Sequence, residues 1–166
     1  FEDNHAQYGG AIAGNPDTQV AITDSLFLRN SAEFGGGALD GLDVEFFNSA
    51  IIENTASFGG ATAGTSGAFS DVVVAYNTAS WYQPGLYGRY FTIKKSILTG
   101  NAVIDDGEYD ESIHLALQAI DTFTQDTIAL GNYSTLPLVI GSGEYVENGK
   151  YSGFEVTFAG NNLIGA

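Results

Sequence analysis

The sequence predicts an all-β chain folded as a right-handed parallel β-helix, a solenoid of about six coils of 23–31 residues. Three observations lead there. An apolar residue, two variable residues and an asparagine recur, ending at Asn4, Asn30, Asn54, Asn77, Asn101, Asn132 and Asn161. A small residue follows two places on, at Ala6, Ala32, Ala56 and Ala79, and then an aromatic with glycines: Tyr8-Gly9-Gly10-Ala11, Phe34-Gly35-Gly36-Gly37-Ala38 and Phe58-Gly59-Gly60-Ala61. No sustained 3.6-residue period supports a long helix.

Each stretch of the repeat has a physical reading. Ten and eight positions before the asparagine lie Val20 and Ile22, Val44 and Phe46, Gly67 and Phe69, and Phe91 and Ile93. A spacing of two puts each pair on one face of a strand. Six before it stand Asp24, Asn48, Asp71, Lys95 and Asp126, and five before it Ser25, Ser49, Ser96 and Thr127. Asp-Ser and Asn-Ser pairs make turns, because their side chains bond nearby backbone groups. The unit is therefore strand, polar turn, strand, asparagine turn, short glycine-rich strand. Three short strands cannot bury a core alone, but stacked coils about 4.8 Å apart can. Six such intervals make a shaft of roughly 29 Å. Asparagine repeated at one place in every coil forms a ladder, each amide bonding the next. The glycine pair fits a corner that needs positive φ or close approach to the following coil. A sandwich with frequent turns leaves these columns unexplained. Right-handedness follows the general preference of parallel crossovers.

Composition narrows the roles. With 166 residues and 44% hydrophobic side chains, the chain builds one domain with a core. Twenty Asp or Glu against five Lys or Arg leave a net charge of −15. That opposes nucleic acid, whose phosphates need clustered cations, and equally an anionic membrane surface. No apolar run is long enough to span a bilayer. The absence of Cys excludes disulfides and thiolate metal sites. Phe1 begins inside a repeat, so residues 1–166 read as a segment of a longer chain, or as one that packs end-on with further subunits.

The pairing of F-x-x-N with G-G-A-[ILV] resembles the repeats of the polymorphic outer-membrane-protein family, whose passenger regions are right-handed parallel β-helices. Ser96-Ile97-Leu98-Thr99-Gly100-Asn101 and Gly160-Asn161-Asn162-Leu163-Ile164-Gly165 look like bacterial surface proteins of the β-helix, choice-of-anchor type. The resemblance covers residues 1–101 well and 127–166 loosely. It implies an exported, extracellular or surface-displayed protein.

Departures from the repeat mark candidate sites. The fourth copy replaces its glycine motif with Ser80-Trp81-Tyr82-Gln83-Pro84-Gly85, and Trp81 aligns with Tyr8, Phe34 and Phe58. Trp81, Tyr82 and Tyr87 are candidates for stacking on a sugar or anchoring a protein, or else for filling a widened corner of the core. Residues 102–125 and 133–155 are elaborated, loop-bearing coils. In the first, Asp105, Asp106, Glu108 and Asp110 are candidate Ca²⁺ ligands, or else a solvated acidic loop. Residues 109–120 fit either a short helix or a coil strand. Tyr145 to Tyr151 reads as a hairpin turning at Asn148-Gly149. Asn132-Tyr133-Ser134 matches a glycosylation sequon, but Asn132 belongs to the ladder. His5 and His114 fall in different units with no third ligand beside either. Asp24, Asp71 and Asp126 share a column in which turn capping is a simpler role than catalysis.

The function these features suggest is non-catalytic: a structural or adhesive extracellular or cell-surface rod presenting loops to a protein partner or surface glycan. The alternatives are a polysaccharide-active enzyme, lyase or glycoside hydrolase, and a carbohydrate-binding module.

Overall fold

A computed structural model describes residues 1–104, apart from the Tyr82 side chain, and the backbone of seven strands beyond them. The chain is a parallel β-solenoid of about four turns, fewer than the six coils expected. Each coil within residues 1–104 contributes to three sheets. Sheet I stacks Leu26–Leu28, Ala50–Ile52, Val73–Ala75, Ile97–Thr99, Ile128–Leu130 and Leu163–Ile164. Sheet II stacks His5–Tyr8, Ser31–Gly35, Thr55–Phe58, Thr78–Tyr82 and Ala102–Val103. Sheet III is the widest. Its first two coils give two short strands each, Ile12–Ala13 with Gln19–Thr23 and Leu39–Asp40 with Asp43–Phe47. The next two fuse them into Thr62–Ser70 and Leu86–Lys94, and Leu117–Ile120, Thr122–Gln125 and Val156–Ala159 follow.

The register matches the expected columns. Val20, Val44, Gly67 and Phe91 align across sheet III, as do Ile22, Phe46, Phe69 and Ile93. Phe91 supplies the bulk that Gly67 lacks one coil earlier. Phe27, Phe46, Phe69 and Phe91 are all buried, with successive ring centroids 5.6, 5.6 and 5.4 Å apart. Ile51, Val74 and Leu98 continue the Phe27 column. The core therefore runs as a shaft along the axis.

The asparagine ladder is built as expected through Asn101. Asn30, Asn54, Asn77 and Asn101 are at most 1% exposed. Each Oδ1 accepts both the backbone N–H and the side-chain amide of the asparagine one coil before, at 2.8–3.1 Å. Each Nδ2 also donates to a strand carbonyl of the preceding coil: Asn54 to Phe27, Asn77 to Ile51 and Asn101 to Val74. Every amide valence is thus met out of water, the condition for burying a polar group. Asn132 and Asn161 lie outside the described residues.

A second ladder supports the polar turn. Ser49 Oγ accepts from Ser25 N at 2.9 Å and donates to Phe47 O at 2.7 Å, and Ser96 treats Val72 N and Lys94 O the same way. Beside it Asp24, Asn48, Asp71 and Lys95 all have φ of 45–56°, the left-handed region that Asp and Asn tolerate. Asn48 Nδ2 donates to Asp24 Oδ1 at 2.6 Å, so this column caps turns.

The glycine corner follows its prediction, with two corrections of register, the first being that Gly35, not Phe34, pairs with Tyr8 and Phe58. Gly9, Gly36 and Gly59 have φ of 55–66°, and Gln83 continues their line at 51°. A Cβ on Gly37 would lie 2.1 Å from the Gly60 carbonyl oxygen, so the second glycine exists for close approach. Tyr82, not Trp81, pairs with Phe58, because a bulge between Ala79 and Tyr82 shifts the register by one residue. Of residues 109–120, Leu117–Ile120 is a strand parallel to Leu86–Arg89. Glu144–Val146 and Lys150–Ser152 pair antiparallel, as the hairpin reading requires.

Candidate binding groove on the outer face

Alternation along sheet III turns Val20, Ile22, Val44 and Phe46 inward, so their neighbours face out. Gln19, Ala21, Asp43, Glu45, Ala68, Tyr90 and Thr92 line a shallow groove of about 540 Å³ on this face. Its floor is low because Ala21, Gly67 and Ala68 are small. Gly67, at φ 121°, lies so close to the previous coil that a Cβ would meet the Val44 carbonyl at 2.0 Å. Tyr90 adopts a left-handed φ of 54° in a strand whose register with the preceding coil is bulged, and the residue is 59% exposed.

Neighbouring coils hold the carboxylate of Asp43. Gln19 Nε2 donates to Oδ2 at 3.2 Å and Ser66 Oγ to Oδ1 at 3.1 Å. Glu45, two residues on, shares the face and is exposed. A held carboxylate, an exposed one and an open aromatic ring suit hydrogen bonding to hydroxyls or amines with stacking on one side. Asp40, at the adjoining corner, pairs in register with Ala13 and Ala63. Burial pushes its carboxyl up to about 6.

The residues singled out from sequence scatter. Trp81 is 47% exposed at the end of a sheet II strand. Tyr87 is half-buried and packs edge-on against Phe58, with centroids 6.3 Å apart. The Tyr82 side chain, the candidate calcium ligands Asp105, Asp106, Glu108 and Asp110, and His114 lie outside the described residues. Among the described residues no three His, Cys, Asp or Glu side chains converge as metal ligands. His5 is exposed and bonds Ser31 Oγ through Nδ1 at 2.8 Å. Gln19, Asp43, Glu45 and Tyr90 did not stand out from sequence, although they are the outward partners of columns already read as strands.

The fold and the groove define a parallel β-solenoid with one acidic, partly aromatic outer face. Comparison of the chain with protein-family models, curated proteins and solved structures yields no match. No helix among the described residues is long and apolar enough to cross a membrane.

Proposed function

We propose that the chain is a non-catalytic structural or adhesive scaffold, working outside the cell or on its surface, that presents its outer face and late loops to a protein partner or surface glycan. The observation that supports this reading is the ladder of buried asparagines. Their amides are used up holding one coil on the next, an arrangement suited to a stiff shaft and leaving recognition to the surface. The ladder is directional, so further coils or subunits packed end-on would extend it without new chemistry.

The test is retention against turnover. Beads coated with the protein are expected to adhere to a matrix protein or a glycan-bearing surface and to release no product. Reducing ends or unsaturated sugars that accumulate in proportion to the protein would replace the scaffold with a polysaccharide-active enzyme. The groove favours a second reading, a carbohydrate-binding module, because Tyr90 and the Asp43–Glu45 pair stand together on an open face. On a glycan array, a ligand lost on Tyr90→Ala would select it.

A further inference from the structure

Sheet I differs from the other two on its outer face. In sheet III the outward positions include Gln19, Asp43, Glu45 and Ser66, and in sheet II Glu33, Thr55 and Ser57. In sheet I the middle residues Phe27, Ile51, Val74 and Leu98 are buried, so the residues on either side of them point out. Those are apolar as well, apart from Thr99. One outward row is Leu26, Ala50, Val73 and Ile97, and the other is Leu28, Ile52, Ala75 and Thr99, of which Ala75 is buried. Leu26 is 46% and Ile97 40% exposed. Strands apolar at nearly every position are the pattern of a sheet covered on both faces.

We propose that the outer face of sheet I is a docking strip for an amphipathic helix of a partner, apolar on one side and flanked by lysine or arginine. The strip's size selects a helix. Its two rows are about 7 Å apart, and the four strands whose side chains are described, at about 4.8 Å, span about 14 Å. A helix is about 10 Å across and rises 1.5 Å per residue, so about 10 residues of one cover these strands. A stable dimer buries about 800 Å² on each partner, well beyond this narrow footprint. Charge selects basic flanks. The turns bordering sheet I carry Asp24, Asp71 and Lys95 on one side and Asp3 and Glu53 on the other, so carboxylates outnumber cations along both. Arg29, in the second border, is engaged by Asp3 at 2.9 Å and by Glu2. A second copy would bring the same acidic borders and its own charge of −15.

The probe is a labelled 18-residue peptide of Leu and Lys, with Leu at helical spacing i, i+3, i+4 and i+7. Anisotropy is expected to show one-to-one binding with a gain of helix by circular dichroism. A shuffled peptide of equal composition should bind at least tenfold more weakly. Leu26→Asp and Ile97→Asp, both at exposed positions, should each weaken binding tenfold or more although they add negative charge. Tyr90→Ala, in the groove, should leave it unchanged. A photo-crosslinker at the centre of the peptide, used on the unaltered protein, should mark strands of sheet I. Equal binding of the shuffled peptide, undiminished binding by the Asp variants, or crosslinks elsewhere would overturn the proposal. So would a concentration-dependent dimer, or uptake by zwitterionic vesicles, that Ile97→Asp abolishes, since either assigns the strip to another occupant.

Discussion

Asn54 is the residue on which two neighbouring coils depend. Its Oδ1 satisfies two donors of Asn30, and its Nδ2 satisfies the Phe27 carbonyl and Asn77 Oδ1. Asn54→Ala removes these partners in a site closed to water, leaving buried donors and a carbonyl unpaired. A loss of about 3–5 kcal/mol follows. Urea unfolding checks it, and a loss below 1 kcal/mol would mean the ladder decorates the shaft without holding it. Asp40 acts in the opposite direction. The folded chain keeps its proton up to about pH 6, whereas an unfolded chain releases it near the usual value of about 3.9. Ionised Asp40 therefore costs stability at neutral pH, and the cost fades as pH falls from about 6 to 4. Asp40→Asn should stabilise by about 1 kcal/mol at pH 7, after allowance for its partial exposure to solvent, and by nothing at pH 4. Melting temperatures at the two pH values test this. The asparagines were legible in sequence because one polar residue stands fixed among apolar neighbours. Asp3, Arg29, Glu53 and Tyr76, which precede them, all have φ of 51–57°. That column was not legible, since side chains so varied carry no common signal for a left-handed turn.

At the scale of the element, the glycine corner decides how closely coils approach. Gly37 has backbone atoms of Thr55 and Gly60 within 2.8 Å of the place a Cβ would take. Gly37→Ala must push two coils apart or twist the corner, at a cost of about 2 kcal/mol or more. Chemical denaturation measures it, and a neutral substitution would show that the corner yields. Proline reaches the same column in the fourth coil. There Pro84 stands where Gly10, Gly37 and Gly60 each donate an N–H to the next coil, and it has none to give. The corner was legible because glycine is rare where a side chain would do. The one-residue slip at Trp81 was not, because a bulge leaves no mark in an aromatic-rich stretch. Nor was the fusion of two strands into Thr62–Ser70 and Leu86–Lys94. The first coil separates its strands with Gly14-Asn15-Pro16-Asp17-Thr18, and the second needs only Gly41 and Leu42. In the third, Gly64 and Gly67 bend a continuous strand at φ of 61° and 121°.

Across the whole molecule, stacked registration brings like charges together, because a residue repeated in every coil meets its own copies about 4.8 Å away. The chain relieves this in places. Asn48 separates Asp24 from Asp71, Gln19 and Ser66 flank Asp43, and Lys95 follows Asp71. The relief is partial, since 20 carboxylates face five cations. Salt should therefore stabilise the fold. Between about 0.01 M and 1 M salt the screening length falls from about 30 Å to about 3 Å, which weakens repulsion between coils and leaves the buried ladder untouched. The expected gain is on the order of 1 kcal/mol in unfolding free energy, measured with sodium chloride as the only variable. The same salt should weaken docking of a basic helix on sheet I, where attraction to the acidic borders is screened. Opposite signs for one ion in two assays separate self-repulsion in the shaft from recognition on its surface. A fold that loses stability as salt rises would mean that paired charges, not the excess of carboxylates, dominate the surface.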